Sequence, residues 1–228
     1  MLKIAHRGAS AYAPENTLTS FMRGIEMGAD GIELDVHRCK SGELVVIHDD
    51  TVDRTANGKG IVAELTLGEL QALTIADSEH IPTLAEVFET LGKEIYYFVE
   101  IKHADAALLA AELMQAYQMR GWPAEQLILI SFKHAALRHA KEIFPALTIG
   151  ASFEKLTDAS IAQAKTLGAS AILPHHQSYT EKYVQHAHIA GLKIIPWTVN
   201  DAKDIARLQG LNVDGIISDY PDRLASYG

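Results

Sequence analysis

Short apolar runs alternate with stretches of helical periodicity along almost the whole chain. Leu18, Phe21 and Ile25, for example, lie at the i, i+3 and i+7 positions of one helical face, and Asn16 is placed to cap that helix. Such alternation predicts a parallel sheet with helices outside it. The nine candidate strands are Lys3–His6, Gly31–Val36, Leu44–His48, Tyr96–Lys102, Leu127–Phe132, Thr148–Ser152, Ala171–Pro174, Lys193–Thr198 and Gly215–Ser218.

One of these strands is expected to run antiparallel to the others. Leu44–His48 follows the preceding strand through Ser41 and Gly42, whereas a parallel crossover needs about a dozen residues or more. It is therefore predicted to be the second strand of a hairpin. With Ser41 and Gly42 as the two turn residues, Asp35 faces His48, and a shift of one residue would turn His48 to the opposite face.

The remaining eight strands predict an α/β fold, a (β/α)8 TIM barrel, in preference to a doubly wound open sheet. Barrels of this length occur as single domains, so we expect residues 1–228 to form one domain. The segment 49–82 is the least regular part of the chain. We expect it to be a small insertion after the hairpin, on the side of the barrel that carries the function.

Composition restricts the class of protein. The net charge of −9 disfavours broad nucleic-acid binding, which needs a basic face. The single cysteine, Cys39, excludes an internal disulfide framework and a cysteine-based zinc site. The apolar run at Met1–His6 is too short for a signal peptide, and no stretch approaches the roughly 20 apolar residues that span a bilayer. We therefore expect a cytoplasmic protein without stable membrane insertion.

Polar side chains concentrate at the ends of the predicted strands. In a (β/α)8 barrel, catalytic residues lie at the C-terminal ends of the strands, so this end, here called the rim, is the predicted site. The rim residues are His6 and Arg7, Glu33 and Asp35, Glu100 and Lys102, and Trp197 and Asp219.

Three of the rim residues are candidate metal ligands. Glu33 and Asp35 lie two residues apart on one strand, so their side chains face the same way. Burying them with Glu100 is costly unless their charge is neutralised. A hard divalent cation, Mg²⁺ or Ca²⁺, does so with oxygen ligands; the alternative is a set of salt bridges with Arg7 and Lys102. The shared rim position favours the metal.

Two histidines complete a set that suits phosphoryl chemistry. Near a metal, one of His6 and His48 can act as general base and the other as general acid. Arg7 and Lys102 can offset charge on the non-bridging oxygens of a phosphate. The residues at the rim therefore predict a phosphodiesterase.

Several motifs carry a resemblance to a known family. They are His6-Arg7-Gly8, Pro14-Glu15-Asn16-Thr17, Glu33-Leu34-Asp35-Val36, Val46-Ile47-His48-Asp49 and Glu100-Ile101-Lys102, followed by Arg54-Thr55, Gly58-Lys59-Gly60, Trp197-Thr198-Val199-Asn200 and Asp214-Gly215-Ile216-Ile217-Ser218-Asp219. In order and approximate spacing, over essentially the whole chain, these resemble the motifs of the glycerophosphodiester phosphodiesterase family.

The resemblance implies a barrel with a small insertion that hydrolyses glycerophosphodiesters to glycerol 3-phosphate and an alcohol. Small water-soluble diesters are the expected substrates. The resemblance also implies metal binding by Glu33, Asp35 and Glu100, acid–base roles for His6 and His48, and phosphate contacts from Arg7 and Lys102.

A few residues depart from the family pattern or have two readings. The family usually has Thr where this chain has Cys39, and Asp where it has Ser41. Both positions lie in the hairpin, away from the expected ligands. Trp197 is expected either to pack against the glycerol carbons of a substrate or to close the barrel. Asp219 is expected to cap the last helix. Glu15 is expected to serve the N-terminus of the first helix, or else to support the residues of the site.

Other functions compete with this prediction. A Schiff-base lyase would use Lys102, although nearby carboxylates hold a lysine protonated. A phospholipase-type enzyme on lysophospholipids or phosphoinositides would need an apolar ramp, and segment 49–82 has only scattered apolar residues. A barrel that binds phosphodiesters without catalysis would not need His6 and His48.

Overall fold

The computed structural model describes residues 1–76 and 78–225, and within them the chain forms nine β-strands and nine α-helices. The strands are β1 (Leu2–His6), β2 (Gly31–Arg38), β3 (Leu44–Val46), β4 (Tyr96–Ile101), β5 (Leu127–Ser131), β6 (Thr148–Phe153), β7 (Ala171–Pro174), β8 (Lys193–Ile194) and β9 (Gly215–Ser218). The helices are α1 (Leu18–Glu26), α2 (Leu67–Gln71), α3 (Leu84–Leu91), α4 (Ala107–Met119), α5 (His134–Ile143), α6 (Asp158–Leu167), α7 (Glu181–Ile189), α8 (Ala202–Gly210) and α9 (Pro221–Ala225).

Eight strands run parallel in the order β8-β7-β6-β5-β4-β2-β1-β9, and β3 pairs antiparallel with β2. Backbone hydrogen bonds from Asp214 N to Ile194 O (2.9 Å) and from Ile217 N to Pro196 O (2.9 Å) join the two ends of this order. The predicted (β/α)8 barrel is therefore confirmed. Strand β8 is regular over a shorter stretch than predicted, because Pro196 has no N–H to donate to a ladder.

The strands alternate between two cores because successive side chains face opposite sides of the sheet. Ala5, Ile32 and Val99 face outward into the large core beneath the helices. His6 and Glu100 lie two residues after the inward-facing Ile4 and Phe98, so they face inward as well. They form a polar layer above the apolar interior of the barrel. The inward apolar residues are Ile4, Phe98, Ile128, Ile130, Ala171, Leu173, Ile195 and Ile217.

The hairpin of β2 and β3 forms as predicted, but its register differs by one residue. Val36 lies opposite Val46, and Cys39 N donates to Glu43 O at 2.9 Å. The turn is therefore longer by one residue than the predicted pair, and Gly42 adopts a φ of 107° within it. Three-residue hairpin turns of this kind favour glycine at the position of positive φ.

This register overturns the predicted pairing of Asp35 with His48. Ile47 N donates to Asp35 O at 3.0 Å, so Ile47 is the residue opposite Asp35. Strand β3 ends at Val46, and His48 belongs to the loop that follows. His48 reaches the rim through this loop and not through the hairpin ladder.

Segment 49–82 packs around a small apolar cluster, separate from the two barrel cores, that it shares with the hairpin. The cluster consists of Cys39, Val45, Ile47, Val52, Val62, Leu70, Ile75 and Ile81. This packing fixes the loop that carries His48 against the hairpin.

Threonine caps begin several of the helices. The Thr17 side chain accepts a hydrogen bond from Ser20 N at 3.1 Å, so Thr17 and not Asn16 caps α1. Thr157 caps α6. Asn16 instead adopts a left-handed φ of 58°, which frees its side chain for another contact. Throughout residues 1–76 and 78–225, no helix combines the length and the apolar character that a bilayer crossing requires.

Candidate active site

Three carboxylates meet inside the rim. Strand β2 positions Glu33 and Asp35, and β4 places Glu100 beside Asp35 in the parallel ladder. One oxygen from each carboxylate lies within 4.8 Å of the other two. Glu33 and Asp35 are 2% and 1% exposed. The structure thus brings together the three carboxylates that the sequence grouped.

Burial and repulsion control the ionisation of this cluster. Burial and the charge of Asp35 raise the pKa of Glu33 to about 8, and the same two causes raise the pKa of Glu100. Burial opposes ionisation of Asp35 too, but Lys102 and Arg7 outweigh it and lower the Asp35 pKa. The three carboxylates therefore carry more negative charge than Lys102 and Arg7 neutralise.

Two cations flank the carboxylates. Lys102 Nζ donates to Asp35 Oδ1 at 3.2 Å and to Glu100 Oε1 at 3.1 Å. Arg7 Nε lies 3.3 Å from Asp35 Oδ2, yet this buried N–H has no partner in hydrogen-bond geometry among the described residues. Because an unpaired buried donor costs about 1–3 kcal/mol, this edge of Arg7 is suited to a ligand.

The turn after β1, which carries Arg7, has positive φ angles that few residues adopt. Arg7 and Gly8 have φ angles of 54° and 81°, so the chain turns sharply as it leaves β1. Arg7 N donates to Glu33 O at 2.9 Å and fixes the corner to β2. A Cβ atom on Gly8 would overlap the backbone of Ser20. Glycine is therefore required beside Arg7.

His6 is held by a carboxylate on one side and faces the carboxylate cluster on the other. Its Nδ1 lies 2.6 Å from Asp219 Oδ1, and its Nε2 lies 3.9 Å from Glu33 Oε2. Burial alone would lower the pKa of His6, but the hydrogen bond with Asp219 and the charge of Glu33 outweigh it and raise the pKa.

Asp219, expected from the sequence as a cap of the last helix, is a site residue in the structure. Besides His6, it accepts hydrogen bonds from Ser10 Oγ at 2.9 Å and Asn200 Nδ2 at 2.6 Å. Burial opposes ionisation of Asp219, but the hydrogen bond with His6 lowers its pKa to about 2. Asp219 is a fixed anion that orients His6.

His48 has a matching arrangement on the other side of the site. Its Nδ1 lies 2.7 Å from Asp49 Oδ1, and Arg54 Nε donates to Asp49 Oδ2 at 2.7 Å. The hydrogen bond from Arg54 lowers the pKa of Asp49. His48 lies close enough to Asp35 and Glu100 to act electrostatically on both. The structure therefore brings both predicted histidines to the carboxylate cluster.

Glu15 belongs to this polar network, which is the second of its two expected roles. Its carboxylate accepts hydrogen bonds from Arg7 Nη1 at 2.9 Å and from two nitrogens of Arg54 at 2.7 and 2.9 Å. Glu15 thus connects the corner after β1 with segment 49–82.

Asn16 is a site residue that the sequence interpretation missed. It is 2% exposed, and its Nδ2 donates to Asp35 Oδ2 at 2.9 Å. A left-handed φ, which asparagine tolerates better than most residues, turns the amide toward β2. The only signal in the sequence was its place in the Pro14–Thr17 motif, where a helix cap was the simpler interpretation.

Trp197 lines a pocket between His6 and the inward apolar residues of the barrel. Its indole Nε1 donates to Leu173 O at 2.8 Å, and its ring packs edge-on against Phe132 and His175. The pocket is also lined by His6, Glu33, Glu100, Ile130, Ser152, Leu173 and Ile217. Trp197 thus closes this part of the barrel and also offers an aromatic wall to a ligand.

Comparisons with known sequences point to one family. The sequence profile of the Glycerophosphoryl diester phosphodiesterase family matches residues 6–223. The chain is 40% identical over 233 residues to a glycerophosphodiester phosphodiesterase of Caldanaerobacter subterraneus subsp. tengcongensis, across 98% of this chain and 96% of the relative. It is 32% identical over 250 residues to a glycerophosphodiester phosphodiesterase of Bacillus subtilis, across 97% and 84%.

Solved structures give the same result. A phosphodiesterase from Oleispira antarctica, in complex with the product sn-glycerol-3-phosphate, superposes with a TM-score of 0.86 at 30% identity, covering 98% of this chain and 94% of that one. A glycerophosphodiester phosphodiesterase from Agrobacterium tumefaciens superposes with a TM-score of 0.86 at 28% identity, covering 99% and 100%. Both similarities extend over nearly the whole chain.

Proposed function

The chain belongs to the glycerophosphoryl diester phosphodiesterase family and is a phosphodiesterase, and from this premise we propose a metal-assisted reaction with two catalytic histidines. It hydrolyses small glycerophosphodiesters to glycerol 3-phosphate and an alcohol. The observation that supports this reaction best is one juxtaposition: His6 and His48, each with Nδ1 bonded to an aspartate, flank three carboxylates whose oxygens lie within 4.8 Å.

The carboxylate cluster fits a hard divalent cation. Glu33, Asp35 and Glu100 would hold Mg²⁺ or Ca²⁺ through oxygen ligands. The raised pKa of Glu33, caused by burial and by Asp35, is what a cluster short of positive charge produces. When bound, such a cation polarises a phosphoryl oxygen and lowers the pKa of a hydroxyl.

Arg7 and Lys102 bind the phosphate. Arg7 directs toward the cluster a buried Nε–H that has no hydrogen-bond partner among the residues the structure describes, and a guanidinium can grip two phosphate oxygens at once. Lys102 keeps its ammonium beside Asp35 and Glu100. With a divalent cation, the site carries about one net positive charge, which suits a monoanionic diester. Trp197 packs against the glycerol carbons.

The histidines move the protons. With Nδ1 bonded to Asp219 in His6 and to Asp49 in His48, each ring keeps Nε2 for the substrate. One Nε2 takes the proton of the attacking oxygen, which belongs to water or to the glycerol 2-hydroxyl, while the other donates a proton to the leaving alcohol. Attack by the 2-hydroxyl leaves a cyclic phosphate, which a water molecule then opens to glycerol 3-phosphate. The aspartates orient the rings, and at His6, against the effect of burial, the hydrogen bond with Asp219 also raises the pKa of the ring.

The competing functions have less support. Burial would lower the pKa of Lys102, but Asp35 and Glu100 outweigh it and raise the pKa. A protonated lysine cannot attack a carbonyl group, so a Schiff-base lyase is disfavoured. A phospholipase would need apolar side chains around the rim, yet in segment 49–82 Val62 and Leu70 are buried in the local cluster.

The test is a product assay across a panel of glycerophosphodiesters that differ in the alcohol, with lysophospholipids as the comparison set. We expect glycerol 3-phosphate from the water-soluble diesters in a reaction that needs Mg²⁺ or Ca²⁺. Turnover confined to lysophospholipids would contradict the proposed substrate class. Borohydride trapping of a substrate on Lys102 would contradict the proposed reaction.

A further inference from the structure

A second group of metal-ligating side chains lies beside the catalytic site. His37, Asp50 and His103 each offer one ligand atom, and these atoms lie within 4.8 Å of one another. The group shares no residue with the carboxylate cluster. We propose that His37, Asp50 and His103 form a separate binding site for a borderline divalent cation, Zn²⁺ in preference to Mg²⁺ or Ca²⁺. The proposal does not depend on the proposed function.

The spacing of the donor atoms suits a small cation. His103 Nε2 lies 2.7 Å from Asp50 Oδ1, and His37 Nδ1 lies 3.8 Å from the same oxygen. In a tetrahedral zinc site with bonds of about 2.0–2.1 Å, neighbouring donors are about 3.3 Å apart. The side chains of Asp50 and His103 are 68% and 54% exposed. They are therefore free to move by the few tenths of an ångström that would bring the donor atoms to this separation.

His37 is oriented as a ligand before any ion binds. Its side chain is 5% exposed, and its Nε2 lies 3.0 Å from the carbonyl oxygen of His48. Because a carbonyl only accepts, Nε2 carries the proton and Nδ1 keeps its lone pair. Within the described part of the chain, Nδ1 has no hydrogen-bond partner and faces Asp50. Metal-binding histidines commonly hold the second nitrogen to a carbonyl in this way.

The chemistry of the donors selects the ion. Mg²⁺ and Ca²⁺ prefer all-oxygen sites, whereas two imidazoles with one carboxylate suit Zn²⁺ and similar ions. The three side chains line a cavity of about 540 Å³, together with Asp105, Arg38 and Thr51 among others. This space leaves room for water to complete the coordination.

The site is coupled to the loop that carries His48. His37 bonds the backbone carbonyl of His48, and Asp50 follows His48 by two residues. A metal on Nδ1 of His37 makes its Nε2–H a stronger donor and strengthens that bond. Zn²⁺ is therefore expected to stabilise this loop and, through binding to the folded state alone, the whole fold.

The experiment measures Zn²⁺ binding by competition with a chromogenic chelator, in a large excess of Mg²⁺ to occupy the oxygen-ligand site. Wild-type protein is expected to bind one Zn²⁺ per chain and to gain thermal stability from it. His103→Ala should weaken Zn²⁺ binding at least about 100-fold and abolish the gain, since even loss of a supporting partner costs about 10–100-fold. His139→Ala, which removes an exposed histidine on α5, is the matched control and should bind like wild type.

Asp50→Asn provides an independent second variant and should also bind Zn²⁺ more weakly. Circular dichroism establishes that each variant is folded, as expected for changes at exposed side chains. Absence of Zn²⁺ binding by the wild-type protein would overturn the proposal. Equal Zn²⁺ affinity in wild type, His103→Ala and Asp50→Asn would place the ion elsewhere and would overturn it as well.

Discussion

Arg54 and Glu15 form a bidentate ion pair, with Nη2 to Oε1 at 2.7 Å and Nη1 to Oε2 at 2.9 Å. The same carboxylate accepts a hydrogen bond from Arg7 at 2.9 Å. Arg54 also donates to Asp49, the partner of His48. One carboxylate thus links the guanidinium proposed to bind phosphate with the loop that carries a proposed catalytic histidine.

The first prediction concerns Glu15 and pH. Burial opposes its ionisation, but Arg54 and Arg7 outweigh it and lower the Glu15 pKa. A carboxyl whose folded pKa is lowered stabilises the fold above its ordinary pKa of 4.5, and this contribution is lost as the pH falls below that value. The arginines do not titrate in this range, so the effect belongs to Glu15.

Glu15→Gln should therefore lower the free energy of unfolding by up to about 1 kcal/mol near neutral pH, and the difference should shrink as the pH falls below about 4. Urea denaturation across this range measures it. Glu26→Gln, in the exposed pair with Arg23, is the control and should show a smaller difference. A constant gap between wild type and Glu15→Gln at every pH would contradict the prediction.

The second prediction concerns metal removal. Exhaustive chelation should abolish diester hydrolysis, and added Mg²⁺ or Ca²⁺ should restore it, because Arg7 and Lys102 alone do not offset three buried carboxylates and the cation would polarise the phosphoryl oxygen. A steady-state assay before and after chelation and readdition measures this. Full activity after chelation would remove the metal from the mechanism.

The third prediction concerns the histidines. His6→Ala and His48→Ala should each lower kcat by about 10²–10⁴-fold, the usual effect of losing a general acid or base. Both variants should remain folded, since neither ring belongs to the apolar cores, although His6→Ala also removes the partner of Asp219 and should lower the melting temperature more than His48→Ala. His139→Ala should keep wild-type turnover. If either site variant also keeps wild-type kcat, that histidine is structural and the acid–base assignment is wrong.

The fourth prediction concerns Arg7. Arg7→Lys should raise KM for the diester at least about tenfold, because hydrogen bonds to a charged group contribute about 1.5–3 kcal/mol and lysine lacks the planar fork. Arg23→Lys, on the exposed face of α1, should leave KM unchanged. A structure with bound phosphate or sulfate provides a direct test, since the anion should contact both Arg7 and Lys102. An anion bound only at the opposite end of the barrel would refute the assignment.

The local hydrophobic and polar pattern was sufficient to predict the barrel and the position of its carboxylate cluster. Period-two alternation places Glu33 and Asp35 on one face of β2, and parallel strands bring all their C-terminal ends to one rim. The carboxylate cluster with Glu100 and Lys102 follows from these two facts, because neither depends on loop conformation. The sequence therefore predicted which strands carry the site and which end of the barrel they serve.

The tertiary structure alone decided the partners that lie far apart in the chain. Asp219 meets His6 across 213 positions, only because β9 pairs with β1 in the closed barrel. The hairpin register depended on a turn one residue longer than predicted, and a single residue reverses every side chain of a strand. Contacts of Asn16 and Arg54 depended on loop dihedral angles. Sequence periodicity specifies the faces of strands and helices, whereas loop geometry and barrel closure determine which of those faces meet.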